Sequence, residues 1–156
     1  MSAVWRADPL EAATVTGLLV AFRDHYGRSS PSAESFLASV QHLIGRSDTE
    51  FWLAAGDHQT PASAVCQLRF RHSVWTASED CWLEDLYVAP PARRLGLGRA
   101  LVQRTLDRAR ERGCHRVELD TNEDNYDAIR LYRSLGFSDT AKGASRSLFF
   151  GARVQE

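Results

Sequence analysis

Glu84 and Asp85 interrupt a run of large apolar residues, Trp82, Leu83, Leu86, Tyr87 and Val88, whose types favour a buried strand. A carboxylate in such company is costly unless it is partnered or put to use, so Glu84 is a candidate for taking up a proton. Asp85 reads equally well as an ion-pairing or loop-bonding residue. Alternation along a strand sends the two carboxylates to opposite sides unless a bulge intervenes. Pro90 and Pro91 cannot continue a ladder and end the strand. Beyond them Arg93, Arg94, Leu95, Gly96, Leu97, Gly98 and Arg99 lead directly into a helix. The first N–H groups of a helix lack partners within it, and its dipole is positive at that end. With these arginines around the same point, the natural occupant is an anion, above all a phosphate.

The neighbouring residues narrow the choice. A nucleoside-triphosphate loop closes with Gly-Lys-Ser/Thr, whereas Gly98 is followed by Arg99 and Ala100. A dinucleotide fingerprint needs a third small residue where Leu101 stands. What remains is Arg93-x-x-Gly96-x-Gly98, following a strand that ends near Val88. Alone, that spacing also describes a glycine-rich turn with solvated arginines.

The elements that must position these groups follow from periodicity. Residues 3–6 are a short candidate strand, and Asp8-Pro9 is an N-cap with proline at the first helical position. Leu10, Ala13, Leu18, Val20, Ala21 and Phe22 predict a helix ending near Tyr26 and Gly27. Ser32 and Ser35 open a second, with Phe36, Leu37, Val40, Leu43 and Ile44 at helical spacing and Gly45 closing it. Residues 51–55 read as a strand. Residues 62–71 alternate, with Ala64, Cys66, Leu68 and Phe70 on one face and Val65, Gln67, Arg69 and Arg71 on the other. The helix over 97–112 turns Leu101, Val102, Leu106 and Ala109 inward, leaving Arg104, Asp107, Arg108 and Glu111 as a solvated, charge-paired face. A strand over 115–121 puts Glu118 and Asp120 on one face; a helix over 125–135 stops at Gly136; Phe137 and residues 147–153 read as two closing strands. Strands that first meander and then alternate with helices predict an α/β fold with helices on both faces of a mixed sheet.

A second motif joins the first. Asn125-x-x-Ala128-x-x-Leu131-Tyr132-x-x-x-Gly136-Phe137 lies after a strand and downstream of the Gly-x-Gly turn. Together the two segments, spanning about a third of the chain, resemble the GNAT superfamily of N-acetyltransferases. Leu83-Glu84-Asp85-Leu86-Tyr87-Val88 is similar to the Leu-Glu-Asp-Phe-Phe-Val stretch of its diamine and thialysine acetyltransferase branch. The resemblance implies one N-acetyltransferase domain over residues 1–156, with a mostly antiparallel sheet of six to seven strands and a splayed central strand pair. It implies acetyl-coenzyme A as the acetyl donor, no metal, and direct transfer to a primary amine. The arginine and glycine turn, Arg93 through Arg99, would bind the diphosphate. The backbone of Leu86, Tyr87 and Val88 would face the acetyl group and its oxyanion. Asn125 is a good N-cap by type, and the resemblance adds a bond to the pantetheine arm. Tyr132 reads as an inward aromatic of its helix; the resemblance makes it the acid that protonates the departing sulfur, beside the cofactor. The acceptor amine would meet Glu84 as base, with Tyr26, Asp85 and Asp120 on the substrate side. Two departures stand out: Arg94 replaces a glycine common after the first arginine, and Asp120 sits where the family strand is usually apolar.

Composition sets the remaining bounds. The 156 residues carry a formal net charge of −1, which calls for neither nucleic acid nor an anionic membrane. Cys66, Cys81 and Cys114 are odd in number and far apart, which argues against a disulfide framework or zinc site and for a reducing cytoplasm. No apolar run reaches the ~18 residues of a membrane span, and the N-terminal stretch is a poor signal peptide. A small cationic amine is the expected acceptor. A protein or peptide amine, or a non-catalytic acyl-CoA-binding module, are the alternatives. Homodimerisation is common in the superfamily and is not legible in this sequence.

Overall fold

Five strands form one sheet in the computed structural model, which describes residues 2–155. They are β1 (Ala3–Arg6), β2 (Thr49–Ala55), β3 (Ala64–Ser73), β4 (Ser78–Val88) and β5 (Val117–Glu118), neighbours in that order. Each of the first four is antiparallel to the next, and β5 runs parallel to β4, so the sheet is mixed. The helices are α1 (Ala12–His25), α2 (Ala33–Leu43), α3 (Leu97–Glu111) and α4 (Tyr126–Ser134). Short 3-10 turns at Pro9–Glu11 and Pro90–Ala92 use their prolines where no backbone donor is needed. The chain divides into two compact units, Met1–Leu119 and Asp120–Glu156.

In the first unit the sheet is covered on both faces, which is why every residue of β2 is buried. On one face Val15 and Leu19 of α1 and Val40 of α2 pack with Phe51, Leu53, Val65 and Tyr87. On the other lies α3, which buries Leu97, Leu101, Val102, Thr105 and Ala109. Its entry is the sharp turn the sequence predicts, with Gly96 as the N-cap.

The outer face of α3 differs from expectation. Arg104 does pair with Glu111, at 2.9 Å, and Arg110 with Asp107. Arg108, however, reaches inward to Glu50, a fully buried carboxylate, at 2.7 Å. Arg6 at 3.2 Å and the indole N–H of Trp52 at 2.9 Å complete its surroundings, with Arg112 at 3.7 Å. Burial alone would raise the Glu50 carboxyl, but hydrogen bonds from Arg108 and Trp52 and the charges of Arg6 and Arg108 hold it below the ordinary carboxylate range. A guanidinium on a long stem can cross from the surface of a helix to a buried anion, and periodicity carries no sign of it. Cys66 and Cys81 are buried free thiols, and burial pushes the Cys66 thiol up to about 12.

The second unit contains α4 and a long irregular tail. Phe137 and residues 147–153 form no strand, so the described sheet has five strands rather than six to seven. Leu148, Phe149 and Phe150 are exposed, and the segment is tied by the Ser147 N–H to the Asp139 carbonyl at 2.7 Å. Their residue types favour a strand, but strand preference acts through cross-strand packing and a paired ladder. The strand expected over 115–121 is likewise confined to Val117–Glu118, leaving Asp120 outside it.

Candidate active site

β4 carries a bulge beside the two carboxylates. Val65 pairs with Tyr87 and Gln67 with Glu84, so three residues of β4 span the interval that two span on β3. The backbone reaches this by placing Asp85 at φ 56°, a left-handed conformation that aspartate tolerates better than most residues. The extra residue restores Tyr87 to the face that Glu84 and Trp82 share, opposite Val65, Gln67 and Arg69. The apolar cluster beneath α1 and α2 takes in Phe51, Leu53, Val65 and Tyr87 of that face. Gln67 is still buried, but the Glu84 side chain is 29% exposed and that of Arg69 is 49% exposed. Glu84 is thus partly open to solvent, 3.8 Å from the Arg69 guanidinium.

The end of α1 supplies the third side. Tyr87 stacks on Phe22 with ring centroids 5.0 Å apart, and Phe22 lies 5.2 Å from Tyr26. Tyr26 itself is largely exposed, so a file of three rings runs from the bulge out to solvent. Tyr26, Glu84 and Asp85 therefore belong to one region of the first unit. Sequence reasoning missed Phe22 and Arg69 as members; the alternation of β3 already put Arg69 on the same face as Gln67.

Pairing between β4 and β5 covers only Cys81 with Val117 and Trp82 with Glu118. Leu86, Tyr87 and Val88 lie past the end of that ladder, which is the parting that the splayed pair requires. The chain then turns through Pro90–Ala92, and the Arg93 side chain donates from Nε to the Val88 carbonyl at 3.1 Å, tying the loop to the strand end. Arg94 adopts φ 70° and Gly96 φ 77°. The turn needs a left-handed residue at position 94, a conformation glycine would take freely, and arginine bears a cost of ~1–2 kcal/mol there. Leu97 is buried and anchors the first turn of α3, while Arg93, Arg94, Leu95 and Arg99 stay exposed around it. Gly96 has no side chain to cap α3, and the carbonyl of Gly96 takes the first helical bond, from Ala100 at 3.0 Å. Backbone N–H groups, a positive helix end and three guanidinium groups fit the diphosphate of a nucleotide-like ligand.

In the second unit Asp120 is exposed. Asn125 occupies the N-cap position of α4, but its side chain does not cap the helix; Nδ2 donates instead to Thr121 Oγ1 at 3.2 Å. Tyr132 is half-buried, its ring 5.8 Å from that of Phe137, so it is not the core aromatic that its helical spacing suggests. Among the described residues no group of three or more His, Cys, Asp or Glu could hold a metal ion. No helix there is long and apolar enough to cross a membrane.

Comparison with known proteins agrees with this geometry. The sequence pattern of the Acetyltransferase (GNAT) family matches residues 18–137. An aminoglycoside N(6')-acetyltransferase type 1 from Acinetobacter haemolyticus is 31% identical over 114 residues, covering 72% of this chain and 79% of that protein. Bos taurus thialysine N-epsilon-acetyltransferase is 32% identical over 110 residues, 69% of this chain and 64% of that one. The crystal structure of an Arthrobacter sp. FB24 protein assigned as an acetyltransferase superposes with a TM-score of 0.86 at 29% identity, over 97% of this chain and 96% of that one. The bulged strand, the left-handed turn into α3 and the match over residues 18–137 lead to one conclusion: this chain belongs to the Acetyltransferase (GNAT) family and is an N-acetyltransferase.

Proposed function

We propose that the protein transfers the acetyl group directly from acetyl-CoA to a primary amine of a small cationic metabolite, such as a polyamine, a lysine-like amino acid or an aminoglycoside. The observation that carries this reading is the bulge in β4, which leaves Glu84 partly open to solvent next to Tyr87, the inner end of an aromatic file that reaches solvent at Tyr26. Carboxylates and ring faces are the groups that receive an ammonium ion. The names of the aminoglycoside and thialysine enzymes among its relatives support the same class of acceptor.

An ammonium group cannot attack a thioester. Its pKa near ~10.4 for a lysine-like amine makes deprotonation the first task. Glu84, directly or through a water molecule, accepts the proton. The amine nitrogen then adds to the thioester carbonyl, the carbon–sulfur bond breaks, and coenzyme A leaves as the thiolate. Backbone N–H groups around Leu86, Tyr87 and Val88 stabilise the oxyanion in passing. Asp85 and Tyr26 help to hold the acceptor. For Asn125 and Tyr132 of the second unit the motif supports contacts to the pantetheine arm and protonation of the thiolate; Asp120, a departure from the family pattern, is assigned to the substrate side for its charge alone. Free thiols at Cys66, Cys81 and Cys114 support work in the cytoplasm.

The test is a screen of polyamines, lysine analogues and aminoglycosides for thiol release from acetyl-CoA by the purified protein. Release dependent on a cationic amine supports the reading; release only with peptide substrates, or binding without turnover across the panel, overturns it. In that assay Tyr132→Phe is expected to lower turnover less than loss of the base does, because a thiol pKa near ~8.5 already makes sulfur a fair leaving group. A Tyr132→Phe enzyme with unchanged turnover and pH profile would remove Tyr132 from the chemistry.

A further inference from the structure

We infer that Arg69 is a positioning residue for Glu84, keeping the carboxylate ionised and directed along the sheet face they share before any amine arrives. The inference rests on the base assignment above. Arg69 stands opposite Trp82 in the β3–β4 ladder, and Glu84 stands opposite Gln67, so the two are diagonal neighbours on one face. Diagonal pairs are within reach of long side chains, and the guanidinium does lie 3.8 Å from a Glu84 oxygen. The next arginine on this face, Arg71, is engaged differently: its guanidinium sits over the Trp82 ring at 5.8 Å. Trp82 therefore separates the two cations, and Arg69 is the one turned toward the bulge. Of the other titratable groups near this side of β4, Asp80 is buried on the same face and stands opposite Arg71, the next same-face pair of the ladder beyond Trp82. Arg23 of α1 bonds Asp24 and the Pro31 carbonyl, His25 meets Tyr26 edge-on, Glu118 of β5 is opposite Trp82, and Asp85 adjoins Glu84.

The chemistry gives Arg69 a task that packing alone would not. A base that must remove a proton from an ammonium has to be anionic when the amine binds. A guanidinium beside a carboxylate favours the ionised form, while its partial exposure leaves the pair weak enough for an incoming ammonium to replace it. Arg69 thus holds the seat that the acceptor's cation takes over.

The test is a carboxyl carbon NMR titration of Glu84 in the wild type, Arg69→Met and Arg69→Lys, with kcat/KM measured against pH alongside. In Arg69→Met the Glu84 midpoint is expected to rise by about half a pH unit, the size of a partly exposed ion pair, and the acid limb of the rate profile to move with it. Arg69→Lys is expected to restore both. A Glu84 midpoint that is the same in Arg69→Met and wild type overturns the inference, whatever the activity. Failure of the base assignment looks different: Glu84→Gln would keep its activity even though the midpoint responds to Arg69.

Discussion

Glu84→Gln is expected to lower kcat/KM for amine acetylation by about 10²–10⁴-fold at neutral pH, the range for loss of a positioned general base. The amide fills the same space and keeps a hydrogen-bonding oxygen, but it cannot accept the proton. The bulge places Glu84 by backbone register, and its side chain is 29% exposed, so the substitution leaves the surrounding packing in place. Affinity for acetyl-CoA is expected to stay at the wild-type value, since the Arg93 to Arg99 turn lies beyond the end of β4. Activity should return in part as pH rises, because more of the amine is then neutral without help. Steady-state thiol release across pH checks all three points, and wild-type turnover by Glu84→Gln at neutral pH would show that Glu84 is not the base.

The second large effect is on stability. Glu50→Ala is expected to destabilise the fold by about 3–5 kcal/mol, because it strips Arg108 of a buried partner and leaves a void beneath α3. For a chain of this size that lowers Tm by on the order of 10 °C. The pH dependence has a definite sign. The Glu50 carboxyl is held below its ordinary value, so its contribution is complete above the unfolded-state value near 4.5 and is lost as pH falls through the lower folded-state value. Urea unfolding of wild type and Glu50→Gln between neutral and acid pH reads this directly. The stability gap should narrow on acidification; a constant gap would mean that Glu50 acts through packing rather than charge.

Much of the fold was legible because its signals are local. The strand through Glu84, the prolines that end it and the glycine that opens α3 are all specified by neighbouring residues. What was not legible depends on contacts distant in sequence. Arg108 has the spacing of a surface residue, and only the fold brings Glu50 beneath it. The bulge turns on which residue of β3 faces which of β4, something periodicity leaves open, although the adjacent carboxylates hinted at it. Arg94 is informative in the opposite sense: it departs from the family's glycine, yet the backbone still takes the left-handed conformation that glycine would adopt freely. Phe149 and Phe150 have strand-like types without a ladder, and in them local preference misled.

Binding of the coenzyme A diphosphate by the turn into α3 is open to a direct check by calorimetric titration. Purified protein titrated with coenzyme A and with acetyl-CoA is expected to give saturable heat with both. That heat should weaken when Arg93 and Arg99 are both replaced by alanine, and weaken also in Gly96→Val, where a β-branched side chain would be forced to φ 77°. No heat of association with either ligand from the wild-type protein would mean that this turn is not a coenzyme A site.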